Sequence, residues 1–465
     1  MASLKEKIGY GFGDMASSMF WKIFSYYLPF FYANVFGLSL TDAAFLFLIT
    51  RLWDAVSDPM MGILADRTNS RWGKYRPYLL WFAIPFAVCG LLLFSTPDFS
   101  YDGKRVYAYI TYILMMTVYT CINVPYGAML GVITPDSDEK TVFSSYRMFF
   151  AYGGSFIALA CWEPLCDLFT SATSCSPQSA WQSSMAVIAT ATALLFFLCF
   201  KLTREKVTTK STVSVGSDLG KLFHNAPWWL LIGAALSSNL FNTVRGSTVA
   251  FYFADIVGDE ANLVFFGFAF AFFAGFFLAV GEVSNMLGVA MTVPIVKRFG
   301  KKPTFIGVSL LLALLSIIFF YMPATTNGFW GMLILQVAIS IGTGVISPLI
   351  WSMYADVSDY SEMKFHTSST GLIFSSASMA QKFGSAFGGS GALWILGLFG
   401  YITQVEANGT VVQTEDALFG LKMLMSYIPA AVALFGAAVL AFYPLGEKRM
   451  REIQTELTRR REAKS

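Results

Sequence analysis

The sequence predicts an all-α membrane protein, with twelve transmembrane helices in two six-helix bundles, and three observations carry that prediction. Of 465 residues, 55% are hydrophobic and 13% charged, with a mean hydropathy of +0.58. A soluble globular surface cannot carry that excess of apolar side chains, 45 Phe, 20 Met and 11 Trp among them. Apolar runs of about 20 residues recur along the whole chain, and since lipid offers no partner for a backbone N–H or C=O, such runs must be helices. A β-barrel would instead show alternating segments of about 10 residues, a pattern the chain lacks. Finally, basic loops fall at the same place in each half of the chain, which reads as a duplicated six-helix unit.

The predicted spans lie near 17–37, 42–64, 77–96, 105–133, 144–165, 181–201, 228–256, 263–296, 303–322, 328–355, 370–400 and 419–445. Basic residues set their sidedness. The loop after the second span, ADRTNSRWGKYRP, carries Arg67, Arg71, Lys74 and Arg76, and the loop after the eighth, KRFGKK, carries Lys297, Arg298, Lys301 and Lys302. The central loop region adds Lys201, Arg204, Lys206, Lys210 and Lys221, whereas the opposite loops carry little beyond Lys104 and Arg105. This asymmetry places the basic loops and both termini on the cytoplasmic side. The expected organisation is an N-terminal bundle over 1–201, a cytoplasmic central loop over 202–227, a C-terminal bundle over 228–446 and a cytoplasmic tail over 447–465. The basic tail reads as a solvated or lipid-surface helix. The start, MASLKEKIGYGFGD, lacks the pattern of a removable signal peptide. A net charge of +3 gives no indication of a nucleic-acid partner. The six cysteines have no metal-binding spacing: Cys89, Cys121 and Cys199 sit in apolar runs, and Cys166 and Cys175 share an external loop where a disulfide is one alternative.

Ionisable residues at membrane depth are rare and face a partner or a water-filled cavity, so they map function. Here they are Asp14, Lys22, Arg51, Asp54, Asp58, Arg147, Arg245, Asp255, Glu282 and Lys382, with Asp356 and Asp359 near a helix end. Asp54 and Asp58, in RLWDAVSDPMMG, stand one turn apart on one helix face, so both carboxylates can address one ion. Two carboxylates that close repel unless a cation lies between them or one takes up a proton, which is what a Na+ or H+ site requires. A hard ion such as Na+ favours oxygen, and Ser57 and Thr120 add hydroxyls to the set. The plain alternative is that one aspartate pairs with Arg51 or Lys382 only to neutralise a buried charge. Asn123 and Pro125 in INVPYG are expected either to break the fourth helix, freeing carbonyls toward a cavity, or to kink it. Arg147 can fork hydrogen bonds to sugar hydroxyls or a carboxylate, or snorkel to the surface. Lys382, among Gly and Ser in SSASMAQKFGSAFGG, is expected to line a cavity. For Arg245 and Glu282, an interhelical salt bridge and substrate contact both stay open.

A catalytic reading finds no support: there is no nucleophile elbow, HExxH or P-loop, and the two histidines, His224 and His366, lie at helix boundaries. Without a P-loop, energy must come from an ion gradient, or transport is passive. No cofactor is expected beyond a coupling ion, Na+ or H+.

The block GILADRTNSRWGKYRP resembles the cytoplasmic loop signature of the major facilitator superfamily. With IGYGFGD, RLWDAVSDPMMGILADRTNSRWGKYRPYLL, VYTCINVPYGAMLGVIT and ADVSDYSEMKFHTSSTGLIFSSASMAQKFGSAFGG, it resembles the glycoside-pentoside-hexuronide:cation symporter family over essentially the whole chain. The resemblance implies the major facilitator fold, alternating access, and co-transport of a sugar with Na+, H+ or Li+. It assigns the cation to Asp54 and Asp58 with Ser57 and Thr120 flanking, and it matches Lys382 and Arg147 to the family's helix-eleven lysine and helix-five arginine. A sugar-binding aspartate on helix one of the best-known member falls at Ser18 here, with Asp14 one turn earlier. A helix-four aspartate becomes Asn123, and the aromatic four residues after it becomes Gly127, beside Tyr126. The expected substrate-binding residues are therefore Asp14, Ser18, Asn123, Tyr126, Arg147 and Lys382, and the lost acids suit a different sugar or an anionic hexuronide. The expected function is cation-coupled sugar symport in the cell inner membrane, with a small sugar or glycoside, a monovalent cation and membrane lipid as partners. A non-coupled membrane sensor or lipid transporter on the same fold is the alternative.

Overall fold

The computed structural model describes residues 3–134, 137–173, 176–206, 223–258, 262–265, 268–271, 273–365, 370–403 and 412–462. Helices occupy all twelve predicted spans among these residues. α1 (Leu4–Tyr26) continues through a turn at Leu28–Phe30 into a π-helical segment, Phe31–Phe36, that ends on Gly37 at φ 88°. α2 (Leu40–Arg67), α3 (Pro77–Leu93), α4 (Tyr101–Ile133), α5 (Ser137–Thr173) and α6 (Pro177–Leu202) follow. After the central loop come α7 (Ala226–Tyr252) with a π-helical end, Phe253–Val257, then strands β1 (Asn262–Phe265) and β2 (Phe268–Ala271). α8 (Ala274–Phe299), α9 (Lys301–Phe320), α10 (Thr326–Phe365), α11 (Thr370–Leu398), α12 (Glu415–Met425), α13 (Tyr427–Ala441) and α14 (Glu447–Glu462) complete the chain. Among the described residues, seven helices are long and apolar enough to cross a membrane by length and composition alone.

Four expectations change. The first helix begins at Leu4, well before the apolar run, because Ser3 and Glu6 form a capping box: Ser3 Oγ accepts from the Glu6 N–H at 3.3 Å and Glu6 Oε2 accepts from the Ser3 N–H at 2.9 Å. The eighth span, expected from 263, starts at Ala274, and the segment before it pairs as an antiparallel hairpin with Asn262 opposite Ala271 and Phe265 opposite Phe268. Its Val and Phe content suits strand as well as helix. The last span is two helices, broken at Ser426 (φ −132°, ψ −86°). Pro429, in the first turn of the second of these helices, has no N–H to offer the Met425 carbonyl four residues back, so that hydrogen bond is missing at the break. The fourth helix, by contrast, runs unbroken past Asn123 and Pro125. Cys175, His366, Lys210 and Lys221 lie outside the described residues.

The chain folds as two compact units, one of Met1–Ser211, Phe273–Ala279 and Leu393–Ala417, the other of Thr212–Phe272, Val280–Ala392 and Leu418–Ser465. In lipid, helices associate through close van der Waals packing rather than hydrophobic transfer, so small residues decide which helices touch. In the first unit, Gly154 of α5 lies against the backbone of α1: a Cβ there would come within 2.6 Å of the Met15 carbonyl oxygen. Gly13 of α1 leaves the space that the Tyr126 ring of α4 fills. In the second unit, Gly384 and Gly388 bring α11 onto α7, where a Cβ would come within 2.6 Å of Asn239 Cβ and 2.7 Å of Thr243 Cβ.

The tail is part of this second unit. Met450, Ile453 and Leu457 form the apolar stripe of α14 and are buried with Trp228, Phe305 and Met353 in one core, while Lys448, Arg449 and Arg451 stay exposed. The expected lipid-surface helix is thus docked by its apolar face to its own bundle.

The two basic loops share one construction. Gly73 turns at φ 111°, and the following N–H groups of Lys74, Tyr75 and Arg76 donate to the Glu205 carboxylate at 2.8, 2.7 and 2.7 Å. Gly300 turns at φ 86° with the Glu447 carboxylate against it, 2.7 Å from where a Cβ would stand. Only glycine adopts such φ without strain; Glu205 ties its loop to the residues that follow the sixth span, and Glu447, after the last span, lies against the turn of the other.

Candidate functional site

The site is built on α2. Ser39 fixes its start by accepting from the Asp42 N–H at 3.1 Å, and from there the helix runs unbroken to Arg67. Residues 51, 54 and 58 therefore rise along one face at spacings of three and four. Asp54 is completely buried and Arg51 is 6% exposed. Arg51 Nη1 donates to Asp54 Oδ2 at 3.0 Å, so the pairing of one aspartate with Arg51 is the arrangement adopted. It is a single-point contact: Asp54 Oδ1 and Arg51 Nε are both buried without a hydrogen-bond partner among the described residues.

Asp58, one turn on, reaches a different partner. Thr120 of α4 donates to its Oδ1 at 2.9 Å, and one turn earlier on α4 Thr117 accepts from Trp53 Nε1 at 2.8 Å. These two bonds set the rotation of α2 against α4. Ser57 is buried between the aspartates, and its hydroxyl proton goes to the Asp54 backbone carbonyl at 3.5 Å, leaving its oxygen lone pairs available. Asp54 and Asp58 thus take different partners, Arg51 and Thr120; their carboxylates and the Ser57 and Thr120 hydroxyls are hard oxygens of the kind that suits a small monovalent cation or a proton.

The remaining predicted residues of the first unit converge on α1. Asp14 Oδ2 accepts from Arg147 Nε of α5 at 2.8 Å, and both are half-buried rather than snorkelled to the surface. Asn123 Oδ1 accepts from Ser17 Oγ at 3.4 Å, with Ser18 half-buried beside it. Tyr126, expected to contact substrate, does not fit that role: its ring is fully buried, stacks on Tyr10 at 4.8 Å, and its hydroxyl donates to the Tyr10 carbonyl at 2.7 Å. It instead supports Arg147, whose guanidinium carbon lies 5.2 Å from the ring centre. Lys382 belongs to the second unit, where it is half-buried on α11 two residues before Gly384.

Sequence reasoning overlooked three side chains here. Ser17, rather than Ser18, reaches Asn123. Trp21 lies under the Arg51 guanidinium, 4.7 Å from the ring centre to Cζ, and Tyr119 packs beside Trp21 at 5.5 Å. The spacing of 14, 17, 18 and 21 marks one helical face, and that signal was available.

In the second unit, Arg245 is 5% exposed and is held by neutral oxygens. It donates from Nη1 to the Met425 carbonyl at 2.5 Å and from Nη2 to Gln336 Oε1 at 3.1 Å. The carbonyl that Pro429 leaves without a donor is the one that Arg245 serves.

Over residues 9–447 the chain matches the family model described as MFS/sugar transport protein. It is 33% identical over 432 residues to the inner membrane symporter YicJ of Escherichia coli (strain K12), covering 92% of this chain and 90% of that one. It is 31% identical over 446 residues to the isoprimeverose transporter of Lactiplantibacillus pentosus, covering 95% and 89%. To the glucuronide carrier protein homolog of Escherichia coli (strain K12) it is 30% identical over 471 residues, covering 99% and 96%. Among solved structures, a bacterial homologue of the human drug peptide transporters PepT1 and PepT2 superposes with a TM-score of 0.71 over 97% of this chain and 100% of that one, at 12% identity. That last likeness is one of fold alone.

Proposed function

The chain belongs to the MFS/sugar transport protein family, among the glycoside-pentoside-hexuronide:cation symporters of the major facilitator superfamily, and on that premise we propose that it takes up a sugar together with Na+ or H+ by alternating access. In this reading the protein sits in the cell inner membrane with both termini cytoplasmic, as the basic loops and the relatives support. The observation that carries it is Asp54 Oδ1, a fully buried carboxylate oxygen without a hydrogen-bond partner among the described residues, one helical turn from Asp58. A buried anion half-satisfied in an apolar helix is costly unless a cation completes it.

The coupling cation binds Asp54 and Asp58, with Ser57 and Thr120 adding oxygens. Its charge offsets that of the carboxylates, so the occupied protein reorients at a lower cost than the empty one. By linkage, the sugar raises cation affinity by the factor by which the cation raises sugar affinity. Asp14, Ser18, Asn123 and Arg147 in the first unit and Lys382 in the second are the proposed sugar contacts. The relatives' names, an isoprimeverose transporter and a glucuronide carrier homolog, support both neutral glycosides and hexuronides.

Uptake into membrane vesicles, with and without a Na+ or H+ gradient, tests this over neutral glycosides, pentosides and hexuronides. Folded Asp54→Cys and Asp58→Cys proteins are expected to lose cation-stimulated uptake. Retention of that stimulation in either variant would place the cation elsewhere. Accumulation of sugar against its own gradient excludes a non-coupled sensor or lipid transporter.

A further inference from the structure

Resting on the cation reading of Asp54, we propose that Arg51 is a built-in stand-in for the coupling cation and that Trp21 is the positioning residue that holds it at Asp54. A buried carboxylate needs a positive partner in every state of the transport cycle, including those in which no ion is bound. Arg51, three residues earlier on the same helix, supplies it within one turn. Arg–carboxylate pairs are strongest when two N–H groups meet two oxygens. This one makes a single bond of 3.0 Å and leaves Arg51 Nε and Asp54 Oδ1 buried without hydrogen-bond partners among the described residues. A pair so incompletely bonded exchanges readily: an entering cation gains Oδ1 at once and then competes with Nη1 for Oδ2.

The other grip on the guanidinium is the indole of Trp21, 4.7 Å from Cζ and braced by the Tyr119 ring. A desolvated Arg over Trp is the stronger form of this contact, and Trp is its best aromatic partner. Trp21 stands on α1 one turn after Ser17, which holds Asn123, and two turns after Asp14, which holds Arg147. The face of α1 that carries the proposed sugar contacts therefore also grips the stand-in cation. When a cation takes Asp54, Arg51 loses its carboxylate, the Trp21 contact changes, and α1 is released from α2. This is how occupation of the ion site reaches the sugar side of the first unit.

Cation binding to the purified full-length protein tests the proposal without knowledge of the sugar. Wild type, Trp21→Phe and Trp21→Leu are titrated with Na+, Li+ or H+, with choline chloride holding ionic strength constant, and stabilisation against thermal unfolding gives the affinity. Losing the indole weakens the competitor, so the cation affinity should rise by about 2- to 30-fold in Trp21→Leu, less in Trp21→Phe. Arg51→Lys, which keeps the charge but not the planar stacking, should shift affinity in the same direction. Of the eleven tryptophans, Trp21 should report the ion: the emission difference between wild type and Trp21→Phe changes on cation addition, and that change is missing in Asp54→Asn. An unaltered cation affinity in folded Trp21→Leu, while Asp54→Asn abolishes the cation response, overturns the Trp21 and Arg51 roles and leaves the ion site standing. A cation response that survives Asp54→Asn overturns both.

Discussion

Among the described residues, each unit buries one arginine at membrane depth, Arg51 and Arg245, and the two are satisfied in opposite ways. Arg51 meets a carboxylate through one hydrogen bond and an indole face. Arg245 meets neutral dipoles, the Met425 carbonyl and the Gln336 amide oxygen, beside the Phe319 ring at 5.0 Å. The Met425 carbonyl sits at the C-terminal end of α12, where the aligned peptide dipoles favour a positive charge. A carboxylate can trade its arginine for another cation, whereas a backbone carbonyl and an amide bind metal ions or protons far more weakly. On the proposed reading, the difference separates an exchangeable ion site in the first unit from a permanent clamp in the second, which serves the carbonyl at the break in the last span.

The comparison breaks most readily at Asp54. Asp54→Asn removes the carboxylate that Arg51 is hydrogen-bonded to and leaves a buried, uncompensated cation, at a cost of about 3–5 kcal/mol. Chemical denaturation in detergent measures this, and the double replacement Arg51→Met with Asp54→Leu should recover most of the stability without recovering cation dependence. A loss as large in the double variant as in Asp54→Asn would mean that packing, rather than charge, governs the position.

Next in size is Arg245→Met. It leaves the Met425 carbonyl and Gln336 unserved but strands no charge, so the expected loss is about 1–3 kcal/mol. Cation affinity should stay at the wild-type value, and a shifted affinity would show that the clamp also belongs to the ion machinery. The smallest effect is expected for Thr120→Val, which removes one hydrogen bond to Asp58 at about 0.5–1.5 kcal/mol. Its distinguishing outcome is a weaker cation affinity at nearly unchanged stability, measured in the same titration.

Much of the fold was legible because lipid leaves the backbone few choices. Twelve apolar runs had to be helices, and helices stand at each. The capping box at Ser3 and Glu6 was also there to read, yet hydropathy alone drew the first boundary too late. The hairpin before α8 was not legible, since a Phe- and Val-rich stretch satisfies strand and span patterns equally. At Pro125 and Pro429 the same residue type had opposite outcomes, an intact helix and a break. The local sequence does not distinguish them.

The candidate site divides along the same line. That Asp54 and Asp58 lie on one face follows from the helical period, and that Arg51 lies within reach of Asp54 follows from a spacing of three; both are properties of α2 by itself. Which carboxylate Arg51 would take, that Thr120 would hold the other, and that Trp21 would lie under the guanidinium depend on how α1 and α4 are rotated against α2. Those rotations are set by close contacts at glycines such as Gly13 and Gly154 and by bonds such as Trp53 to Thr117. The sequence by itself determined where the apolar helical runs lie and the charges each carries, because lipid enforces local hydrogen bonding and a fixed period. Only the tertiary structure decided which charge meets which partner, because that depends on side chains far apart in the chain and on angles between helices that no local pattern encodes.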